Sequence, residues 1–244
     1  MTTIRGARER ARIEVTAAIK DEARKQLAAE GAAKLSLRAV ARELGMVSSA
    51  LYRYFPSRDE LLTALIVDAY DAVGAAAETA LAAAPDPLDH PARWTAICSA
   101  VRTWALAHPH EYALIYGSPV PGYTAPMDTV GPASRVGLAL ISVARDAHRS
   151  DGIALPPLAE ELRAEAHRLT AVVAPDLPPA VVVSLVAAWA QLFGLLSFEL
   201  FGQFNRVVEE RDVFFAQAAN RLVYEVGLRP RHTGGTHSGN IAGP

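Results

Sequence analysis

Between Ser48 and Arg58 the chain collects three serines, two tyrosines and two arginines, with no acidic side chain. These groups suit one kind of chemistry. Serine hydroxyls donate to phosphate oxygens or base edges, a neutral phenol donates to a phosphate oxygen, and a guanidinium pairs with a phosphate or with guanine. Wound at about 100° per residue, Val47, Ala50, Leu51, Tyr54 and Phe55 share one side of a helix. Ser48, Ser49, Tyr52 and Arg53 share the other. One half of the segment is therefore built to pack and the other to face outward. An ordinary helical hairpin with a wetted face has the same periodicity, so spacing alone does not choose between the two.

Three elements must hold that surface. A first helix, about Ala7 to Glu30, carries Val15, Ile19, Ala23 and Leu27 on one stripe and stops at Gly31. A short second helix runs from Leu37 to Leu44, capped by Ser36, with Leu37, Val40, Ala41 and Leu44 at i, i+3, i+4 and i+7. Gly45 breaks the chain, and a third helix spans about Ser48 to Phe55 before Pro56. Two short helices joined by a glycine turn form a helix-turn-helix, whose second helix fits a DNA major groove. Ser57 and Glu60 form a capping box that opens a long fourth helix, running to about Ala84.

The charge distribution agrees. The chain of 244 residues has a net charge of −2, yet residues 1–60 hold twelve Lys/Arg against eight Asp/Glu, a net of +4. The remainder carries −6. A basic head on an acidic body points to a nucleic-acid surface at one end. Enzyme signatures are missing: there is no Gly-x-Ser-x-Gly, phosphate loop, Gly-x-Gly-x-x-Gly, His-Glu-x-x-His or cysteine pair. Glu160, Glu161 and Glu165 read as a solvated helix face, and no metal-ligand spacing or cofactor motif occurs. Cys98, the single cysteine, sits among Trp94, Ile97 and Val101, the setting of a buried and inert thiol. The absence of cysteine pairs and of an apolar leader segment fits a cytoplasmic protein.

The stretch Leu35–Leu62, "LSLRAVARELGMVSSALYRYFPSRDELL", closely resembles the head of the TetR/AcrR-type transcriptional regulators. The resemblance implies an all-α protein: an N-terminal helix-turn-helix domain, then a larger helical ligand-binding and dimerisation domain. The corresponding divisions are 1–57, 58–229 and a disordered tail at 230–244. It also implies a homodimer on a palindromic DNA operator, released by a small-molecule effector. Carried over by position, Ser36, Tyr52, Tyr54 and Arg58 face DNA; with the outward-facing Ser48, Ser49 and Arg53, and with Arg38, they make up the expected DNA-facing set. Tyr54 stands where the family often has histidine, Arg58 where it often has lysine, and Val47 where a capping Ser or Thr is usual. Ser48 is then the expected cap. A protein–protein adaptor using the same head as a docking surface is the alternative.

For the body, helices are expected near 91–107, 111–116, 133–149, 158–173, 179–205 and 207–227, with a Pro/Gly-rich loop at 117–132. Leu177–Phe198 contains no charge and is long enough to span a bilayer. Pro178, Pro179 and its amphipathic neighbours favour a buried helix over a membrane span. Ala187, Ala190, Gly194 and Ser197 are small residues at i, i+3, i+7 and i+10, and with Phe201 they predict a dimer interface. Trp94, Trp104, Tyr112, Tyr116, Tyr123, Trp189 and Phe193 are the aromatic candidates for an apolar effector pocket, with Tyr123 as its lid.

Overall fold

The computed structural model describes residues 4–230. Ten α-helices account for the described chain: α1 Ile4–Glu30, α2 Leu37–Glu43, α3 Ser48–Leu51, α4 Arg58–Ala82, α5 His90–Ala107, α6 Pro109–Tyr116, α7 Val130–Arg149, α8 Arg163–Val173, α9 Pro179–Leu200 and α10 Arg211–Val226. Extended pairing among the described residues amounts to one antiparallel bridge, Ile153 with Leu228. It ties the end of α10 to the segment after α7. The tail beyond Pro230, expected to be disordered, lies outside the described residues.

The expected stripe of α1 is buried: Ile19, Ala23 and Leu27 meet Leu37, Val40, Ala41, Leu51 and Phe55 in a head core. Ser36 caps α2, its hydroxyl accepting the Ala39 N–H at 3.4 Å. The turn after α2 is a Schellman motif. The Met46 N–H bonds to the Ala41 carbonyl at 2.8 Å and the Gly45 N–H to Arg42 at 3.1 Å, with Gly45 at φ +64°. Only glycine takes that angle without strain, so the reversal between α2 and α3 depends on it. Ser57 caps α4 by accepting the Glu60 N–H at 3.1 Å, but the Glu60 carboxylate does not return the bond expected of a full capping box.

Helix α4 belongs to two cores. Its first half places Leu61, Leu62, Leu65 and Ile66 in the head core. Its second half places Ala69, Val73 and Ala77 in the body core with Trp94, Ile97, Val101, Val136 and Leu140. No linker separates the two units. In the body, α4 packs on α5 and α7, and α9 packs on α8, α10 and α5. Gly74 lets α7 approach closely: a Cβ there would sit 2.6 Å from the Cβ of Arg135. Arg135 in turn bonds to Glu78 at 2.6 Å and Asp71 at 2.8 Å.

Helix α9 is apolar along its length, but its core-facing side is only part of it, 39% of its most apolar stretch being buried. The expectation of burial holds for one face. Glu199, just past the uncharged run, is 7% exposed and takes two bonds from Arg102 of α5, at 2.6 and 2.8 Å. Arg102 also reaches Asp212 of α10 at 2.7 Å. Cys98 is fully buried, and burial pushes its thiol up to about 12, consistent with an inert side chain.

Candidate nucleic-acid interface and effector cavities

Helix α3 is shorter than expected. Its α-helical part ends at Leu51, and tighter turns carry the chain through Tyr54, whose N–H bonds to the Leu51 carbonyl at 2.8 Å. The two-sided division survives this change. Leu51 and Phe55 are buried, Ala50 and Tyr54 are half-buried, and Ser48, Ser49, Tyr52 and Arg53 are exposed together. Two expectations fail locally. Val47 is 69% exposed rather than part of the packing side, because its extended backbone turns it away from the core. Val47 is also the N-cap residue, without a side-chain bond, so Ser48 lies inside the helix with its hydroxyl free of capping.

Ion pairing sorts the head's cations into two groups. Lys20 and Arg24 bond Asp68, Lys25 bonds Glu22, and Arg42 bonds Glu43. Arg58 donates to the Ala32 carbonyl at 2.9 Å and that of Ala33 at 3.3 Å, and pairs with Asp59. Its guanidinium therefore has a structural role in holding the turn after α1. Among the described head residues Arg8, Arg10, Arg12, Lys34, Arg38 and Arg53 have no acidic partner. Arg38 sits in the first turn of α2 and Arg53 on the polar side of α3, both exposed. Unneutralised cations beside unpaired hydroxyls are what a phosphate backbone requires.

Comparison with known proteins agrees with this geometry. The family model described as bacterial regulatory proteins, tetR family, matches residues 19–65. The tetracyclin repressor-like C-terminal domain matches residues 94–222. The HTH-type transcriptional regulator Rv1816 of Mycobacterium tuberculosis is 43% identical over 216 residues, which cover 82% of this chain and 86% of the relative. The chain belongs to the TetR family. The regulator Mb1846 of Mycobacterium bovis matches at the same 43% identity and coverage. A solved structure, the regulatory protein SCO4313, superposes with a TM-score of 0.74 at 35% identity, covering 88% of this chain and 98% of that one. This TetR-family protein is thus a DNA-binding transcription regulator and not an enzyme, as its sequence implied.

Of the seven aromatic pocket candidates, the structure packs five into the body core. Trp94 is fully buried, and its indole N–H has no partner. Trp104 stacks on His108 at 5.3 Å. Tyr112 donates to the Phe193 carbonyl at 3.0 Å, and burial pushes its phenol up to about 12. Tyr116 stacks on Phe193 at 4.1 Å. These rings fill space rather than line it. Tyr123 and Trp189 do line open volume, in two different places. Tyr123 borders a cavity of about 580 Å³ with Ile66, Tyr70, Leu114, Ile115 and Val120. Trp189 borders an apolar groove of about 460 Å³ between α7, α8 and α9.

The Tyr123 cavity lies where head meets body. Tyr123 and Thr63 share a hydroxyl bond at 2.9 Å, and Tyr70 donates to the Ile115 carbonyl at 3.3 Å. Leu114, Val120 and Tyr123 pack on the head core. The loop at 117–126 is therefore a wedge against α4, and α7 starts three residues earlier than expected, at Val130. Sequence reasoning missed the ionic part of this joint: Arg24 bonds both Asp68 of α4 and Glu111 of α6, at 2.6 and 3.1 Å. These residues are far apart in the chain and look like ordinary surface charges until the fold joins them.

On α9, Ala187, Ala190 and Gly194 are exposed, with Phe201 beside them. Ser197 departs from the predicted stripe. It is half-buried, and its hydroxyl meets that of Tyr112 at 2.9 Å. Exposed Phe198 and Phe214 extend the apolar face across α10, and a Cβ at Gly194 would meet open space.

Proposed function

We propose that this TetR-family regulator is a repressor that binds a palindromic operator as a homodimer and releases it when a small, largely apolar effector enters the body. Supporting the DNA-facing assignment is the coincidence of unpaired cations with the polar side of α3. Ser36, Arg38, Ser48, Ser49, Tyr52, Arg53 and Tyr54 form that contact set, with Arg58 holding its edge. Supporting the dimer is the open α9/α10 face. Two copies of it would cover Ala187, Ala190, Gly194, Phe198 and Phe201 in one four-helix contact and place two α3 helices for successive major grooves, roughly 34 Å apart.

For the effector, the Tyr123 cavity is the best site. No charged side chain lines it, and its walls include α4, α6 and the 117–126 wedge, which all touch the head core. A fold of this kind holds resorcinol in RolR, which shares a TM-score of 0.50 and 15% identity with this chain. A ligand that wedges this joint would tilt α4 and change the spacing of the two heads. To swing occupancy from 1:99 to 99:1 it must prefer the released state by about 5.5 kcal/mol. Such a regulator works on chromosomal DNA in the cytoplasm.

The observation that carries the reading is the polar side of α3, and fluorescence anisotropy with the DNA flanking the gene tests it. Wild type should bind with a steep salt slope, and Tyr52→Ala/Arg53→Ala should lose specific binding. Equal affinity of the double variant and wild type would refute the placement of the DNA-facing side. In parallel, Phe198→Glu should turn a dimer into a monomer in light scattering. A wild-type monomer would refute the interface.

A further inference from the structure

Helix α1 begins well before the core it serves. Its first buried residue is Ile19, preceded by half-buried Val15 and Thr16, and residues 7–14 are exposed throughout, Ile13 to 60%. From Ile4 to Glu14 the helix overhangs the head by about 16 Å at 1.5 Å per residue. An isolated helical stretch of this length is marginal in water, so the overhang gains little unless something covers it.

Its composition states what would. Residues 4–14 carry Arg5, Arg8, Arg10 and Arg12 against Glu9 and Glu14. The helical repeat puts Arg8 and Arg12 in line with Val15, Ile19 and Ala23, the stripe that faces the head core. That stripe changes from apolar to arginine where the core ends. Arg12 lies over the ring of Tyr54, 5.6 Å from its centroid, so the arginine stripe runs up to the segment that follows α3. Arg8, one turn further out, has no ion-pair or hydrogen-bond partner among the described residues.

We infer that the overhanging part of α1 is a second DNA-binding element, in which Arg8 and Arg12 hold backbone phosphates that α3 does not reach. Its contacts are sequence-independent. They add affinity and salt dependence on any duplex and leave the preference for the operator to α3. Tyr54 then links the two elements: it packs on the head core and carries Arg12 on its face.

The test is a salt titration of the full-length protein on operator and on scrambled duplex DNA, with Arg8→Ala, Arg8→Ala/Arg12→Ala and the control Arg10→Ala on the far side of the helix. The double variant should lower the slope of log K against log salt by about 2 per bound protomer, and so by about 4 for a dimer, at roughly 0.9 per phosphate. It should weaken both duplexes by the same factor and leave their ratio unchanged. Arg8→Ala alone should give about half that change; because Arg8 is exposed and has no ion-pair or hydrogen-bond partner among the described residues, a folding defect is not expected to mimic it. Arg10→Ala should keep the wild-type slope. Unchanged slopes for Arg8→Ala and the double variant would overturn the assignment, as would a loss confined to the operator. So would an equal effect of Arg10→Ala, which would reduce the overhang to a diffuse positive charge.

Discussion

Replacing Glu199 isolates the forces that join three body helices. Its carboxylate is 7% exposed and accepts two bonds from Arg102, whose side chain is 13% exposed and lies over Phe215 at 5.1 Å. The bonded Glu199 carboxylate holds the guanidinium well above its usual value, so it stays charged at any working pH. Glu199→Gln keeps the shape and removes the charge. Breaking a buried pair from one side costs roughly 3–5 kcal/mol, because the surviving charge is left without compensation. Arg102 retains exposed Asp212 and some solvent, which brings the cost to or just below the lower end of that range, about 2–3 kcal/mol. For a chain of this length that is a fall in Tm of about 5–10 °C. The assay is a circular-dichroism melt at fixed protomer concentration, since association shifts apparent stability. Arg102→Met/Glu199→Leu removes both charges, keeps the packing, and should recover to within about 1 kcal/mol of wild type. A Glu199→Gln melt within 1 °C of wild type would refute the reasoning, as would a double variant no better than the single one; ~1 °C is well under the shift expected here.

Two further substitutions follow from helix packing and one from titration. Gly74→Ala should destabilise by about 1–2 kcal/mol, since overpacking against the Arg135 Cβ outweighs a helix-propensity gain of about 1 kcal/mol. Gly137→Ala, which meets open space, should gain up to about 1 kcal/mol, and urea midpoints of the two variants should move in opposite directions. His90 is 3% exposed and its Nε2 lies 2.9 Å from the Ser150 hydroxyl, with Arg93 beside Nδ1. Burial first and Arg93 second hold its pKa below the ordinary 6.5, so the neutral ring is the folded form. Its contribution is complete above 6.5 and is lost as pH falls from there toward the lowered folded value. His90→Asn should flatten that part of the stability curve, and an unchanged curve would remove His90 as its cause.

Much of the head was legible because its rules are local. Ser36, the stripe Leu37, Val40 and Ala41, the Gly45 turn and the Ser57 cap each act within a few residues, and each sits where its spacing implied. Val47 and Ser48 depart from the expected capping because the cap position depends on one backbone angle that a β-branched residue can also adopt. The cavities of the body were less legible. Trp94, Tyr112 and Phe193 have the residue types of a pocket wall, but whether an aromatic ring lines space or fills it depends on what lies across from it. Periodicity carries no such information. Likewise Arg24, Asp68 and Glu111 meet only because α1, α4 and α6 converge.

The sharing of α4 between two cores bears on how this regulator can be taken apart. A cut at residue 57 would strip Leu61, Leu62, Leu65 and Ile66 from the head and leave their partners on α1 and α2 exposed. The recognition unit is therefore not a detachable module with a natural seam in front of α4. A transplant of this head onto another body would have to carry α4 through Ile66, and with it the residues that α6 and the Tyr123 wedge contact. The helix that completes the head core is also one on which the body core is built, so a substitution along it acts on both units at once.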